Sequence, residues 1–192
     1  MSPTKERPED RIIRAATACF RRWGVAKTSM ADIAEATGMQ RSQLYRHFES
    51  KEALIVKTMV QAAQELTDRR MSLFPLEGPV GPLIIEILVD GHQELMADEF
   101  ATHLIGNGAR AFMQLMSEVP DIRQAQLDWW GLVIAYGQRR REIRDDLTPD
   151  EITNWFLLSQ INMVEFAERY PTVDEVRDHI AKFVVPAVLA RV

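Results

Sequence analysis

The sequence predicts an all-α protein built in two parts, and three observations carry that expectation. Apolar residues recur at helical spacing in one stretch after another, and no stretch alternates as a half-buried strand would. Helix-start signals punctuate the chain: Ser29 with Asp32, Thr148-Pro149-Asp150-Glu151, and Thr172 with Glu175. The charge is unevenly placed. Residues 1–57 hold 11 Lys and Arg against 7 Asp and Glu, a balance of +4, whereas residues 58–192 carry −9, giving the chain its −5. About nine helices are expected in total.

The elements follow in order. Residues 1–9, polar and holding two prolines, read as a loose arm. Its Lys5 and Arg7 are expected to be solvated, with contact to phosphate or the minor groove as the alternative. A first helix is expected from about Asp10 to Trp23, with Ile12, Ala16, Cys19, Phe20 and Trp23 on its inner face. Ser29 caps a second helix with the apolar face Met30, Ile33 and Ala34, and Gly38 can end it in a left-handed turn. A third runs from about Gln40 to His47, with Leu44 and Phe48 inside. Its outer face carries Arg41, Ser42, Gln43, Tyr45, Arg46 and His47 and no carboxylate. Such a donor-rich surface suits phosphates and base edges, and two short helices around a tight turn form a helix–turn–helix.

Ser50 caps a fourth helix that reaches toward Leu73. Residues 75–82 (PLEGPVGP) hold three prolines and two glycines and are expected to be a loop. A fifth helix spans about Leu83 to Ala97, and a helical stretch about Phe100 to Glu118. Another follows from about Asp121 to Arg141, one from Pro149 to about Arg169, and a last one from about Val173 to Ala190. Pro186 should kink that last helix or free a carbonyl.

Residues 10–57, with T-S-M-A-D-I-A-E-A-T-G, L-Y-R-H-F and S-K-E-A-L at their relative spacing, resemble the TetR family of bacterial one-component regulators. Beyond Lys57 only the helical layout and length are similar. The resemblance implies a helix–turn–helix DNA-binding domain at 1–52 and an effector-binding and dimerisation domain at 53–192. Position by position, it makes Arg41, Ser42 and Gln43 candidates for base-edge contacts, with Arg41 suited to guanine and Gln43 to adenine. Tyr45, His47 and Lys51 match positions that usually touch the DNA backbone. Thr28 and Ser29, at the start of the second helix, are placed to donate to phosphate. Arg46 is either a phosphate contact or a solvated charge. One departure stands out: family members often have a glycine before I-R-x-D-L, where this chain has Arg141.

The resemblance also implies a homodimer, formed when the last two helices pair with their copies in a four-helix bundle. The apolar stripes that fit are Trp155, Phe156, Ser159, Met163 and Phe166 on one helix. On the other they are Ile180, Phe183, Val184, Ala187 and Val188. Both stripes also serve their own core. A small-effector pocket is expected between residues 83 and 136, where deformable and bulky side chains gather: Met96, Phe100, Leu104, Phe112, Met113 and Met116. Trp129, Trp130 and Tyr136 add to them, with His103, Asn107 and Gln126 as polar contacts. The effector is therefore expected to be apolar or amphipathic.

Several classes are set aside. No nucleophile–base motif, phosphate loop or metal box is present, so neither an enzyme nor a cofactor or metal protein is expected. No segment suits a membrane span or signal peptide, and the single Cys19 allows no disulfide within one chain, which fits the bacterial cytoplasm. The reading is a ligand-responsive regulator, a repressor released from a palindromic double-stranded operator by a small hydrophobic effector. An activator, a corepressor-dependent regulator, and a DNA-binding protein without an effector are the alternatives.

Overall fold

The computed structural model describes residues 7–98 and 119–190. Among them lie eight α-helices: α1 (Pro8–Trp23), α2 (Met30–Thr37), α3 (Arg41–His47), α4 (Lys51–Leu73), α5 (Val80–Ala97), α6 (Pro120–Arg139), α7 (Pro149–Glu165) and α8 (Val173–His179). The only extended pairing among these residues is a single antiparallel bridge between Ile143 and Leu189. The expected helical stretch at 100–118 lies outside the described residues. The chain divides into two compact units, Met1–Ala62 and Ala63–Val192, with the division inside α4.

In the first unit α1 packs on α2, and α2 on α3. Pro8 occupies the first turn of α1, where a missing N–H costs nothing. Ile12, Ala16, Cys19 and Phe20 repeat at helical spacing and are buried. Burying each large apolar side chain contributes about 1.5–3 kcal/mol. Trp23, expected to face this core, is instead 43% exposed with the Arg22 guanidinium over its ring. The helix ends at the next residue, so no further turn covers it.

The start of α2 is a full capping box. The Ser29 hydroxyl accepts the Asp32 N–H, and the Asp32 carboxylate accepts the Ser29 N–H at 2.8 Å. Gly38 ends the helix at φ +66°, and the Met39 N–H returns to the Ala34 carbonyl at 3.0 Å. A side chain at that φ would be strained, which is why the turn needs glycine.

In the second unit α5 packs on α6, α7 and α8, and α6 on α7. Their shared core includes Ile84, Ile87, Trp129, Trp130, Phe156 and Ile180. Two expectations are corrected here. The loop at 75–82 is shorter than expected, because α5 begins at Val80 and carries Pro82 within its first turn. The first-turn N–H groups have no intrahelical partner, so proline is tolerated there.

The last helix is not continuous. Its α-helical part ends at His179, residues Ile180–Val184 are wound as a π-helix, and Val185–Ala187 form a 3-10 turn. Pro186 has no N–H to give to a preceding carbonyl and its ring crowds the turn before it, so the α ladder cannot run through it.

Candidate functional site

The helix α3 is short, and its first-turn geometry is made by glutamines. The Gln43 side-chain oxygen accepts the Gln40 N–H at 2.9 Å. Leu44 is fully buried and Phe48 nearly so, which anchors the helix by one face. The other face is open: Arg41, Ser42, Gln43, Tyr45, Arg46 and His47 are all exposed, and the helix holds no carboxylate. Arg41 and Tyr45 are paired, with the guanidinium carbon 5.6 Å from the ring centroid and Nη2 3.4 Å from the phenol oxygen. His47 Nδ1 lies 3.8 Å from the Glu9 carboxylate of α1, which gives this edge of the face an acidic neighbour.

Three residues expected at phosphate have other engagements. Thr28 is 1% exposed, and its hydroxyl lies 2.8 Å from the Gly24 carbonyl and 3.2 Å from that of Cys19. Its side chain ties the end of α1 to the start of α2 and does not reach the surface. The Lys51 ammonium donates to the carbonyls of Val25 (3.0 Å) and Thr28 (3.1 Å), closing the same loop from α4. One of its three N–H donors remains beyond those two bonds. Ser29 donates its hydroxyl hydrogen to Asp32 at 2.7 Å. Those bonds to Ser29, the backbone one first, hold the Asp32 carboxyl below its usual pKa.

The residues expected to line a pocket divide differently. Phe100, His103, Leu104, Asn107, Phe112, Met113 and Met116 lie outside the described residues. Met96 is 42% exposed. Trp129 and Trp130 are buried, with Trp130 stacked at a tilt on Phe156, ring centroids 4.5 Å apart. Tyr136 packs against the core, and its hydroxyl donates to the Gly78 carbonyl at 2.7 Å.

Polar atoms are buried among these apolar groups. Trp129 Nε1, Gln126 Oε1 and His92 Nδ1 have no hydrogen-bond partner among the described residues. Burial lowers the His92 pKa, so its ring is held neutral. Sequence reasoning missed a second polar group. Arg70 of α4 rests on Gly91 of α5, where an added Cβ would stand 2.6 Å from its Nη2. Burial lowers the Arg70 pKa to about 10, opposed by nearby Asp90, and Glu94 lies 3.5 Å away. The isolated Gly91 inside an apolar helix was the available signal, since such a glycine marks close approach.

The stripes expected at a dimer interface are split by the fold. Phe156, Met163, Ile180, Val184 and Val188 are buried in this unit's own core, so they present nothing to a partner. Trp155, Phe166, Phe183 and Ala187 are exposed, Phe183 by 66%, and Ser159 is partly so. Leu158, also half exposed, belongs with them. Its place three residues after Trp155 was the spacing that would have found it.

Residues 12–58 match the family described as bacterial regulatory proteins, tetR family. The transcriptional regulator TtgR of Pseudomonas putida is 35% identical over 100 residues, covering 50% of this chain and 47% of its own. The chain thus spans about half the length of the curated relatives it matches. Among solved structures, a TetR-family regulator from Shewanella sp. PV-4 superimposes with a TM-score of 0.66 at 24% identity, covering 97% of this chain and 100% of that one. The Thermus thermophilus repressor FadR, solved with lauroyl-CoA, gives 0.68 at 16% identity, covering 96% of each. The N-terminal match agrees with the motifs of the helix–turn–helix, the all-helical fold is shared with the solved TetR-type structures, and residues 12–58 are a DNA-binding segment of the tetR family of bacterial regulatory proteins.

Proposed function

We propose that the protein is a DNA-binding transcriptional regulator. It acts as a homodimer and represses from a palindromic operator until a small apolar or amphipathic effector releases it. The observation that carries this reading is the exposed face of α3, rich in donors and free of carboxylate, on a segment that matches the family. Arg41, Ser42 and Gln43 are the proposed base contacts, and Tyr45, His47 and the third donor of Lys51 the proposed backbone contacts.

The dimer is supported by the exposed apolar groups Trp155, Leu158, Phe166 and Phe183, which a monomer would leave in water. A twofold axis places two recognition helices on one duplex, and the second contact then gains from the first. The effector is supported by the buried, unpartnered atoms of His92, Gln126 and Trp129 amid aromatic side chains. An apolar ligand with a few polar groups would satisfy them. The repressor FadR of Thermus thermophilus, bound to lauroyl-CoA, is an amphipathic example on the same fold.

The helix α4 passes from the first compact unit into the second, so it is the covalent route for a signal. An effector that favours one setting of α4 lowers operator affinity, and by linkage the operator lowers effector affinity by the same factor. The test is a gel-shift titration of the full chain on a duplex that it enriches from a random library, with and without lauroyl-CoA and a panel of hydrophobic drugs. Release by at least one compound is expected. Unchanged binding with every compound contradicts the effector half of the proposal, and no preference for any duplex contradicts the DNA half.

A further inference from the structure

Arg41 and Tyr45 stand one turn apart on α3, both exposed, with the guanidinium carbon 5.6 Å from the phenol ring centroid. Both side chains open to solvent, Tyr45 by 41%, and the Arg41 guanidinium meets the Tyr45 ring there. An exposed arginine otherwise spreads over many rotamers, and that freedom is lost when it docks on a base. The attraction between a cation and a ring face narrows those rotamers before any partner arrives.

The pairing leaves donors of Arg41 available for a base. Its guanidinium has five N–H donors, one Nη2 group faces the phenol oxygen at 3.4 Å, and bidentate pairing with guanine O6 and N7 takes only two. The other candidate readers are placed differently. Gln43 holds the Gln40 N–H with its side-chain oxygen, and Ser42 has a short arm.

We infer that Tyr45 is a specificity-determining positioning residue, whose ring holds Arg41 ready to pair with guanine in the major groove. The inference rests on the proposed reading of α3 as the DNA-contacting helix, and it gives the ring a role separate from phosphate contact by the hydroxyl. The two roles leave different marks. A phosphate contact strengthens binding to every sequence, whereas a platform for a base-reading arginine acts on base preference.

The full-length protein is first used to enrich a random duplex library. Affinities are then measured for the enriched duplex and for versions with each half-site guanine replaced, using wild type, Arg41→Ala, Arg41→Lys, Tyr45→Phe and Tyr45→Leu. Arg41→Ala is expected to lower preference for one guanine by about five- to a hundredfold. Arg41→Lys keeps the charge and loses the planar fork, so it lowers the same preference. Tyr45→Leu is expected to lower it by about two- to fivefold, and Tyr45→Phe, which keeps the ring, to retain it. Thermal melts by circular dichroism should be unchanged, because both positions are exposed.

If Tyr45→Phe and Tyr45→Leu weaken all duplexes equally and leave the guanine preference intact, Tyr45 is a backbone contact and the inference is overturned. If Arg41→Ala leaves base preference unchanged, it is overturned as well. If the wild type enriches no sequence, the DNA-binding proposal itself fails and takes this inference with it.

Discussion

Trp155 of α7 donates its indole N–H to the Val184 carbonyl, 2.9 Å away, just before the proline that ends the helical ladder at Pro186. The π-wound stretch Ile180–Val184 leaves its carbonyls without the regular α pattern, and a side chain from the neighbouring helix meets one of them. Trp155→Phe keeps most of the apolar surface and removes the donor. It should lower stability by about 1 kcal/mol, read as an earlier urea midpoint with an unchanged slope.

The same region presents the apolar groups proposed to meet a second copy. Phe183 is the most exposed of the large hydrophobics among the described residues, so Phe183→Asp changes the surface with little effect on the unit's own core. Light scattering should find a dimer for the wild type and a monomer for the variant at micromolar concentration. An unchanged mass would move the dimer interface elsewhere. An isologous patch buries the same residue twice, so one substitution acts on both sides.

Arg141 sits at φ +59°, the one non-glycine in the left-handed region among the described residues. Its N–H bonds to the Gln138 carbonyl at 3.0 Å, and the turn leads into the bridge of Ile143 with Leu189. An L side chain at this φ costs about 1–2 kcal/mol, part of which glycine returns through its freer unfolded chain. Arg141→Gly should therefore raise stability by about 0.5–1 kcal/mol and the melting temperature by a few degrees. A lower melting temperature would mean that the Arg141 side chain contributes more than its backbone costs.

Asp32 titrates with consequences for α2. Its folded pKa is depressed by the bonds to Ser29, so its stabilising effect is full above the unfolded value of about 3.9. The effect is lost as pH falls through the lower, folded pKa. The melting-temperature gap between wild type and Asp32→Ala should be constant from neutral pH to about pH 5 and narrow below about pH 4. A gap that widens in acid would contradict the assigned sign.

What the sequence made legible was mostly local. The boxes at Ser29–Asp32 and Thr148–Glu151 and the left-handed Gly38 each depend on residues within a turn of one another, and each formed as expected. Features decided by distant partners were not legible. Thr28 reads as a polar residue at a helix start, yet its burial depends on where α1 ends and on the Cys19 carbonyl nine residues earlier. Lys51 reads as a contact to the DNA backbone, but two loop carbonyls lie within its reach across more than twenty residues of chain. Phe156 and Trp155 are adjacent in sequence and apolar alike. Only the placement of α5 and α6 sends one into the core and leaves the other half open. The open face of α3 was readable because Leu44 and Phe48 fix which side is buried.

The central claim is that α3 reads base sequence through its exposed donors. It is tested most directly by fluorescence-anisotropy titration of wild type, Arg41→Ala and Gln43→Ala on the enriched duplex and on a scrambled one at fixed salt. Each variant is expected to lose about 1–3 kcal/mol on the enriched duplex, with little change on the scrambled duplex. Equal losses on both duplexes would contradict it, because side chains that read bases cannot weaken binding without regard to sequence.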